Sequence, residues 1–154
     1  MKRGLNTRCL HLEETEGKTE HYGTISYPIY QTATYAHPRV GESTGYDYSR
    51  LQNPTREQLE KTVASLEGGI DAFALSSGMA AITLLMEIFE PGDHFVAESD
   101  LYGGSIRLFE NISKKNHYEF TYIDCAKDDI EHEIKENTKA IYLETPTNPM
   151  MRVS

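Results

Sequence analysis

Cysteine is scarce in this 154-residue chain: Cys9 and Cys125 stand far apart, and no CxxC spacing occurs. This argues against a disulfide framework and a thiolate zinc site, leaving two plain thiols. The histidines at 11, 21, 37, 94, 117 and 132 form no HExxH or comparable pair, so no metal site is expected and a metal hydrolase lacks its ligand set. Basic residues are outnumbered, 15 Lys and Arg against 24 Asp and Glu, for a net charge of -9. A nucleic-acid partner would call for a basic stripe, and none is present. No apolar run approaches membrane-spanning length, and Met1-Lys2-Arg3-Gly4-Leu5-Asn6 lacks the apolar segment of a signal peptide. No membrane partner is expected, and the expected location is the cytoplasm. Neither GxGxxG nor GxxxxGK[ST] occurs, which removes the common nucleotide loops.

What remains is a soluble globular composition, 38% hydrophobic and 25% charged, at a length that suits one domain. Residues 1–53 differ from the rest. Gly4, Gly17, Gly23, Gly41 and Gly45, with Pro28 and Pro38, interrupt them, yet Tyr22, Tyr27, Tyr30, Tyr35, Tyr46 and Tyr48 crowd in. Aromatics in such number call for burial, so an arm lying across a partner subunit fits better than a disordered tail. Tyr48 and Arg50 stand two apart and share a face of an extended backbone. Phenol and guanidinium together can clamp a phosphate, or simply form a surface pair.

From Pro54 the pattern becomes regular. Pro54 opens a helix to about Leu66, with Leu59, Val63 and Leu66 at helical spacing and Gly68-Gly69 ending it. Ala72–Leu75 reads as a strand leading through Ser76-Ser77-Gly78 into a helix from Met79 to about Phe89. Two readings fit that junction. It is an ordinary turn capped by Ser76 or Ser77, or it is an anion site where unpaired N–H groups converge and Gly78 permits close approach. His94–Glu98, Glu119–Ile123 and Ala140–Leu143 read as further strands. A Gly-rich loop, Asp100–Ser105, opens a helix that continues to Lys115, and a short helix is expected over 128–135. Strands alternating with helices imply a mostly parallel α/β sheet, with ligands beyond the carboxyl ends of its strands. Ser76–Met79, Ser99–Gly104 and Glu144–Asn148 all occupy such ends, so three loops are expected to converge on one cleft.

Four stretches in this order carry a resemblance. They are Tyr48-Ser49-Arg50-Leu51-Gln52-Asn53-Pro54-Thr55, Ser76-Ser77-Gly78-Met79-Ala80-Ala81, Asp100-Leu101-Tyr102-Gly103-Gly104 and Glu144-Thr145-Pro146-Thr147-Asn148-Pro149. Together they resemble the Cys/Met-metabolism family of pyridoxal-phosphate enzymes, from about Tyr22 onward. The resemblance implies the fold-type I large domain and pyridoxal 5'-phosphate as cofactor. It divides the chain into an arm, 1–53, and the first part of the cofactor domain, 54–154. Gly78 and Met79, beside Ser77, would take the cofactor phosphate, and Tyr48 and Arg50 would reach it from the neighbouring subunit. Tyr102 would stack on the ring and assist proton transfer as the catalytic residue. Asn148 would lie near the ring's 3-oxygen with Glu144 behind it, and Arg107 would help hold a substrate carboxylate.

The family's Schiff-base lysine and ring-nitrogen aspartate lie beyond Ser154, and no lysine present has the matching context. The resemblance therefore implies the N-terminal part of an enzyme, with the 154 residues by themselves expected to be inactive. The segment from His37 to Gly45 is most similar to bacterial γ-synthases and O-acetylhomoserine (thiol)-lyases. The implied parent activity is γ-replacement on a homoserine ester by cysteine or sulfide, in transsulfuration and methionine biosynthesis. The alternatives are γ-elimination from cystathionine or methionine, and a non-catalytic interaction protein on the same scaffold. A homo-oligomer, a dimer of dimers with shared sites, is the implied assembly.

Overall fold

Pro54 has no N–H to lose and a φ already fixed for a helix, so it suits a first turn. Helix α2 (Pro54–Glu67) begins there, capped by Asn53, whose side chain accepts the Thr55 N–H at 2.9 Å. It ends at Gly68, where φ is 69°, the left-handed conformation that glycine adopts without a Cβ clash. The short helix α1 (Leu5–Leu10) lies against α2, with the Arg8 guanidinium donating to the Ser65 carbonyl. The computed structural model describes residues 4–11 and 21–153, and the chain forms two units, 1–74 and 75–154. Over 21–53 the first unit is irregular, tied by isolated bridges Thr34–Tyr48 and Arg39–Glu42. Its aromatics pack on one another: His21 on Tyr27 at 4.7 Å between ring centroids, and Tyr35 on Tyr46 at 5.6 Å.

The second unit is built on a parallel three-stranded sheet, in the order β2–β1–β3. Strands β1 (His94–Glu98) and β2 (Glu119–Ile123) have the bounds that the sequence pattern predicts. Strand β3 (Thr138–Tyr142) begins and ends slightly earlier than expected. Every residue of β1 is buried, as a central strand of a parallel sheet should be. Phe95 and Ala97 point into a core with Met86, Leu101, Phe109 and Tyr118. Helices α3 (Gly78–Met86) and α4 (Gly103–Asn116) supply that layer, and Phe120 stacks on both Phe95 and Phe109 at 4.8 Å.

Three local expectations are corrected. Residues 72–75 form no strand, because their polar backbone finds side chains rather than a neighbouring strand: Glu60 accepts the Ala74 N–H and Asp71 the Ala72 N–H. Helix α3 stops at Met86, well before Phe89, giving way to a turn ahead of Pro91-Gly92. The helix expected over 128–135 is one 3-10 turn, Ile130–Glu133, capped by the Asp129 carboxylate.

Candidate functional site

The start of α3 settles which serine caps it. Ser77 is extended, at φ -162°, and its Oγ accepts the Ala80 N–H at 3.1 Å, while its carbonyl accepts from Ala81. The N–H groups of Gly78 and Met79 have no acceptor among the described residues. Nothing lies within 4 Å of where a Gly78 Cβ would stand, so the approach to those groups is open. The Ser77 hydroxyl accepts from the helix and keeps its own proton to donate. With the positive end of the helix behind them, these groups suit a dianionic phosphate.

The start of α4 faces the same neighbourhood. Tyr102 is its N-cap, half exposed, and Gly103 and Gly104 follow as the first helical residues. A Cβ on Gly104 would stand 2.4 Å from Tyr102 Cε1 and 3.2 Å from Met79 Sδ. The missing methyl group is therefore what lets the Tyr102 ring lie across the helix start, beside Met79 from α3. That is a flat aromatic surface next to a helix end with open N–H groups. The Tyr102 N–H donates to Glu144 Oε2 at 2.9 Å, which ties the loop after β1 to the turn after β3. Asn148 is exposed in that turn, and Arg107 is exposed on α4.

Three residues to which the sequence reading gave no role, Glu98, Asp100 and Thr147, brace these loops. Glu98, at the end of β1, is 1% exposed. Its carboxylate accepts from the Ser99 hydroxyl and the Asp100 and Cys125 N–H groups, each at 3.1 Å. Burial pushes its pKa up, but the donated hydrogen bonds outweigh burial and hold the group below the usual carboxylate range. Asp100 Oδ2 accepts the Thr147 hydroxyl at 2.5 Å and the Met150 N–H at 3.1 Å. Burial and the Glu98 charge together push the Cys125 thiol up to about 11, so it is no nucleophile near neutral pH. The available signal was the run of carboxylates before Tyr102-Gly103-Gly104, which alternation alone assigns to a strand end.

Tyr48 and Arg50 belong to the first unit. The Arg50 guanidinium carbon sits 4.8 Å from the Tyr48 ring centroid, a cation–π pair with the cation exposed. A cavity of about 610 Å³ in the same unit is lined by Tyr46, Asn53, Arg56, Glu60 and Phe73, among others, and by none of the expected site residues. Concavity alone is therefore a poor guide here. The convergent helix starts are the stronger candidate. Among the described residues no cluster of His, Cys, Asp or Glu is placed to hold a metal, and no helix is long and apolar enough to cross a membrane.

Many known proteins are similar to this chain. The profile of the family described as Cys/Met metabolism PLP-dependent enzyme matches residues 6–154. A cystathionine gamma-lyase of Bacillus subtilis is 47% identical over 136 residues, 88% of this chain and 36% of that protein. A cystathionine gamma-synthase/O-acetylhomoserine (thiol)-lyase of the same organism is 50% identical over 131 residues, 84% of this chain and 35% of that protein. The crystal structure of metB from Corynebacterium glutamicum superimposes with a TM-score of 0.84 at 40% identity, over 99% of this chain and 40% of that one. The chain thus spans well under half the length of these relatives.

Proposed function

The chain belongs to the Cys/Met metabolism family of pyridoxal-phosphate-dependent enzymes, and from that premise we propose γ-replacement on an O-acylhomoserine, by cysteine or sulfide, as the activity of the protein that carries it. The observation that carries this reading is the pairing of two helix starts, the open N–H groups of Gly78 and Met79 beside the Tyr102 ring laid over Gly104. A phosphate and a flat ring, held one beside the other, match that pairing. The 50% identity to the Bacillus gamma-synthase/(thiol)-lyase supports replacement. The 47% identity to the Bacillus gamma-lyase supports γ-elimination as the second reading.

In the mechanism, pyridoxal phosphate supplies an electron sink for the carbanion chemistry that no side chain can provide. The chain's own groups position and protonate. The Gly78 and Met79 N–H groups and the Ser77 hydroxyl hold the phosphate. The Tyr102 ring would stack on the cofactor ring, and its half-exposed phenol would assist proton transfer at the substrate. Glu144 holds the Tyr102 backbone, and Asn148 would lie near the ring's 3-oxygen. Tyr48 and Arg50, stacked together, complete the phosphate contacts from a second subunit of a homo-oligomer, with residues 1–53 as the arm that carries them. Arg107 meets the substrate carboxylate.

The test incubates the full-length protein that carries this chain with pyridoxal phosphate and, in separate runs, with O-acetylhomoserine plus cysteine or with cystathionine. Cystathionine as product supports replacement. A 2-oxo acid with ammonia supports elimination. Bound cofactor with neither product overturns both readings and favours a binding role on the same scaffold. Arg50→Ala is expected to weaken cofactor retention by about tenfold, the loss of one charge-assisted contact. Unchanged retention removes Arg50 from the site.

A further inference from the structure

The loop after β1 and the turn after β3 are joined twice, in opposite senses. Glu144, from the β3 side, accepts the Tyr102 N–H at 2.9 Å. Asp100, from the β1 side, accepts at one oxygen from two residues that flank Asn148: the Thr147 hydroxyl at 2.5 Å and the Met150 N–H at 3.1 Å. Thr147 is 1% exposed, and its hydroxyl is used in both directions, since it also accepts the Arg152 N–H at 2.8 Å. The Thr147 N–H donates to the Arg152 carbonyl at 2.8 Å, which closes the turn around Asn148.

The connection extends beyond this pair. The Asp100 N–H is held by buried Glu98, whose other oxygen takes the Cys125 N–H after β2. The Arg152 guanidinium reaches Asp124 Oδ2 at 3.2 Å, next to Cys125 in the chain. The hydrogen bonds thus run in a closed ring through the carboxyl ends of all three strands: Glu98 and Asp100, Thr147 and Arg152, then Asp124 and Cys125. A closed ring resists distortion at any one member, because each loop is held from two sides.

We propose that Asp100 is a positioning residue: with Thr147 it latches the Tyr102 loop to the Asn148 turn and so fixes the spacing between the stacking ring and the Asn148 amide. What is positioned rests on the cofactor reading above; the latch itself does not. A carboxylate suits the task because one oxygen accepts two donors, which lets a single side chain span the turn. Loose positioning by even a fraction of an ångström is costly at a catalytic site, which is why such bracing is expected behind it.

The experiment uses all 154 residues and the variants Asp100→Ala, Thr147→Val and Thr147→Ser, in two arms. In the first, without cofactor, amide hydrogen exchange is followed by NMR. Asp100→Ala and Thr147→Val are expected to speed exchange about tenfold or more at Met150 and Arg152 and also at Tyr102, across the latch. Thr147→Ser, which keeps the hydroxyl, is expected to stay near the parent chain. Acceleration confined to 147–152, with Tyr102 unmoved, overturns the proposal. In the second arm, pyridoxal phosphate is titrated and its induced circular dichroism recorded, with inorganic phosphate as competitor. Thr147→Val is expected to keep its phosphate affinity and lose most of the induced signal, which Thr147→Ser restores. A signal equal to the parent's in Thr147→Val overturns the proposal. If the parent chain gives no induced signal at all, the first arm alone decides the latch.

Discussion

His94 sits at the opposite end of β1 from the site and is fully buried. Its two ring nitrogens lie 2.7 Å from Thr138 Oγ1 and 2.9 Å from Thr121 Oγ1, so one imidazole links all three strands. Thr138 Oγ1 also accepts the Lys135 N–H, which leaves its proton for the ring or for another acceptor. Burial lowers the His94 pKa first, and the Lys135 charge adds to it; Glu119 and Glu133 oppose without prevailing. The neutral ring is thus the folded form. In the unfolded chain the ring takes up a proton near the ordinary value of about 6.5. The stabilisation is therefore complete above about pH 6.5 and is lost as pH falls from there through the lower folded value. Urea titrations between pH 7.5 and pH 5 should show stability dropping by up to about 1.4 kcal/mol per pH unit in that window from this one proton. A His94→Gln chain should lose that part of the slope; an unchanged slope would assign it to other groups.

At the scale of elements, what the sequence made legible depended on whether a segment's hydrogen bonds are local or shared. The β1 and β2 bounds were readable because Phe95-Val96-Ala97 form an apolar run after Gly92-Asp93, and Glu119 to Tyr122 alternate polar and apolar ahead of Asp124. Helix α2 was readable from Pro54 and Gly68, since both ends are set by backbone chemistry. Residues 72–75 have strand-like composition, but a strand needs a partner, and no sequence pattern shows that Glu60 takes the Ala74 N–H instead. The site divided the same way. Ser77, Gly78 and Tyr102 stood out at helix starts, whereas Glu98, Asp100 and Thr147 act through contacts far apart in sequence. Gly104 offers a test of how an element start builds the site. In most helices Gly→Ala gains about 1 kcal/mol. Here the new Cβ would stand 2.4 Å from Tyr102 Cε1, so the ring must swing off the helix start. Gly104→Ala should keep its urea midpoint within a small margin, as helix gain offsets lost contact, while pyridoxal phosphate binding weakens by about tenfold for want of the stacked ring. Equal binding would show that the ring's position over Gly104 is not what the cofactor needs.

For the whole molecule, two long-range tendencies oppose each other. The net charge of -9 makes every copy repel every other, with a reach set by the Debye length. Against this, large apolar side chains stand in water in both units: Phe73 at 73% exposure, Ile88 at 71%, Leu143 at 48% and Leu85 at 45%. Helix α3 sharpens the point. Its sequence, Gly78 to Met86, is apolar on all sides apart from Thr83, a pattern of helices enclosed by protein, yet only Met86 is buried. Apolar surface on this scale favours association, at about 25 cal/mol per Å² covered. Salt separates the two tendencies, because it screens the repulsion and leaves burial intact or strengthens it. Sedimentation equilibrium should therefore give a mass above 17.5 kDa that rises with protein concentration, and rises further between about 0.05 M and 0.5 M salt, where screening shortens from above to below ~10 Å. Association that weakens with salt would point instead to charged contacts between copies. A constant 17.5 kDa across both series would mean that α3 keeps its apolar face in water, and would remove the support that this face lends to a homo-oligomer.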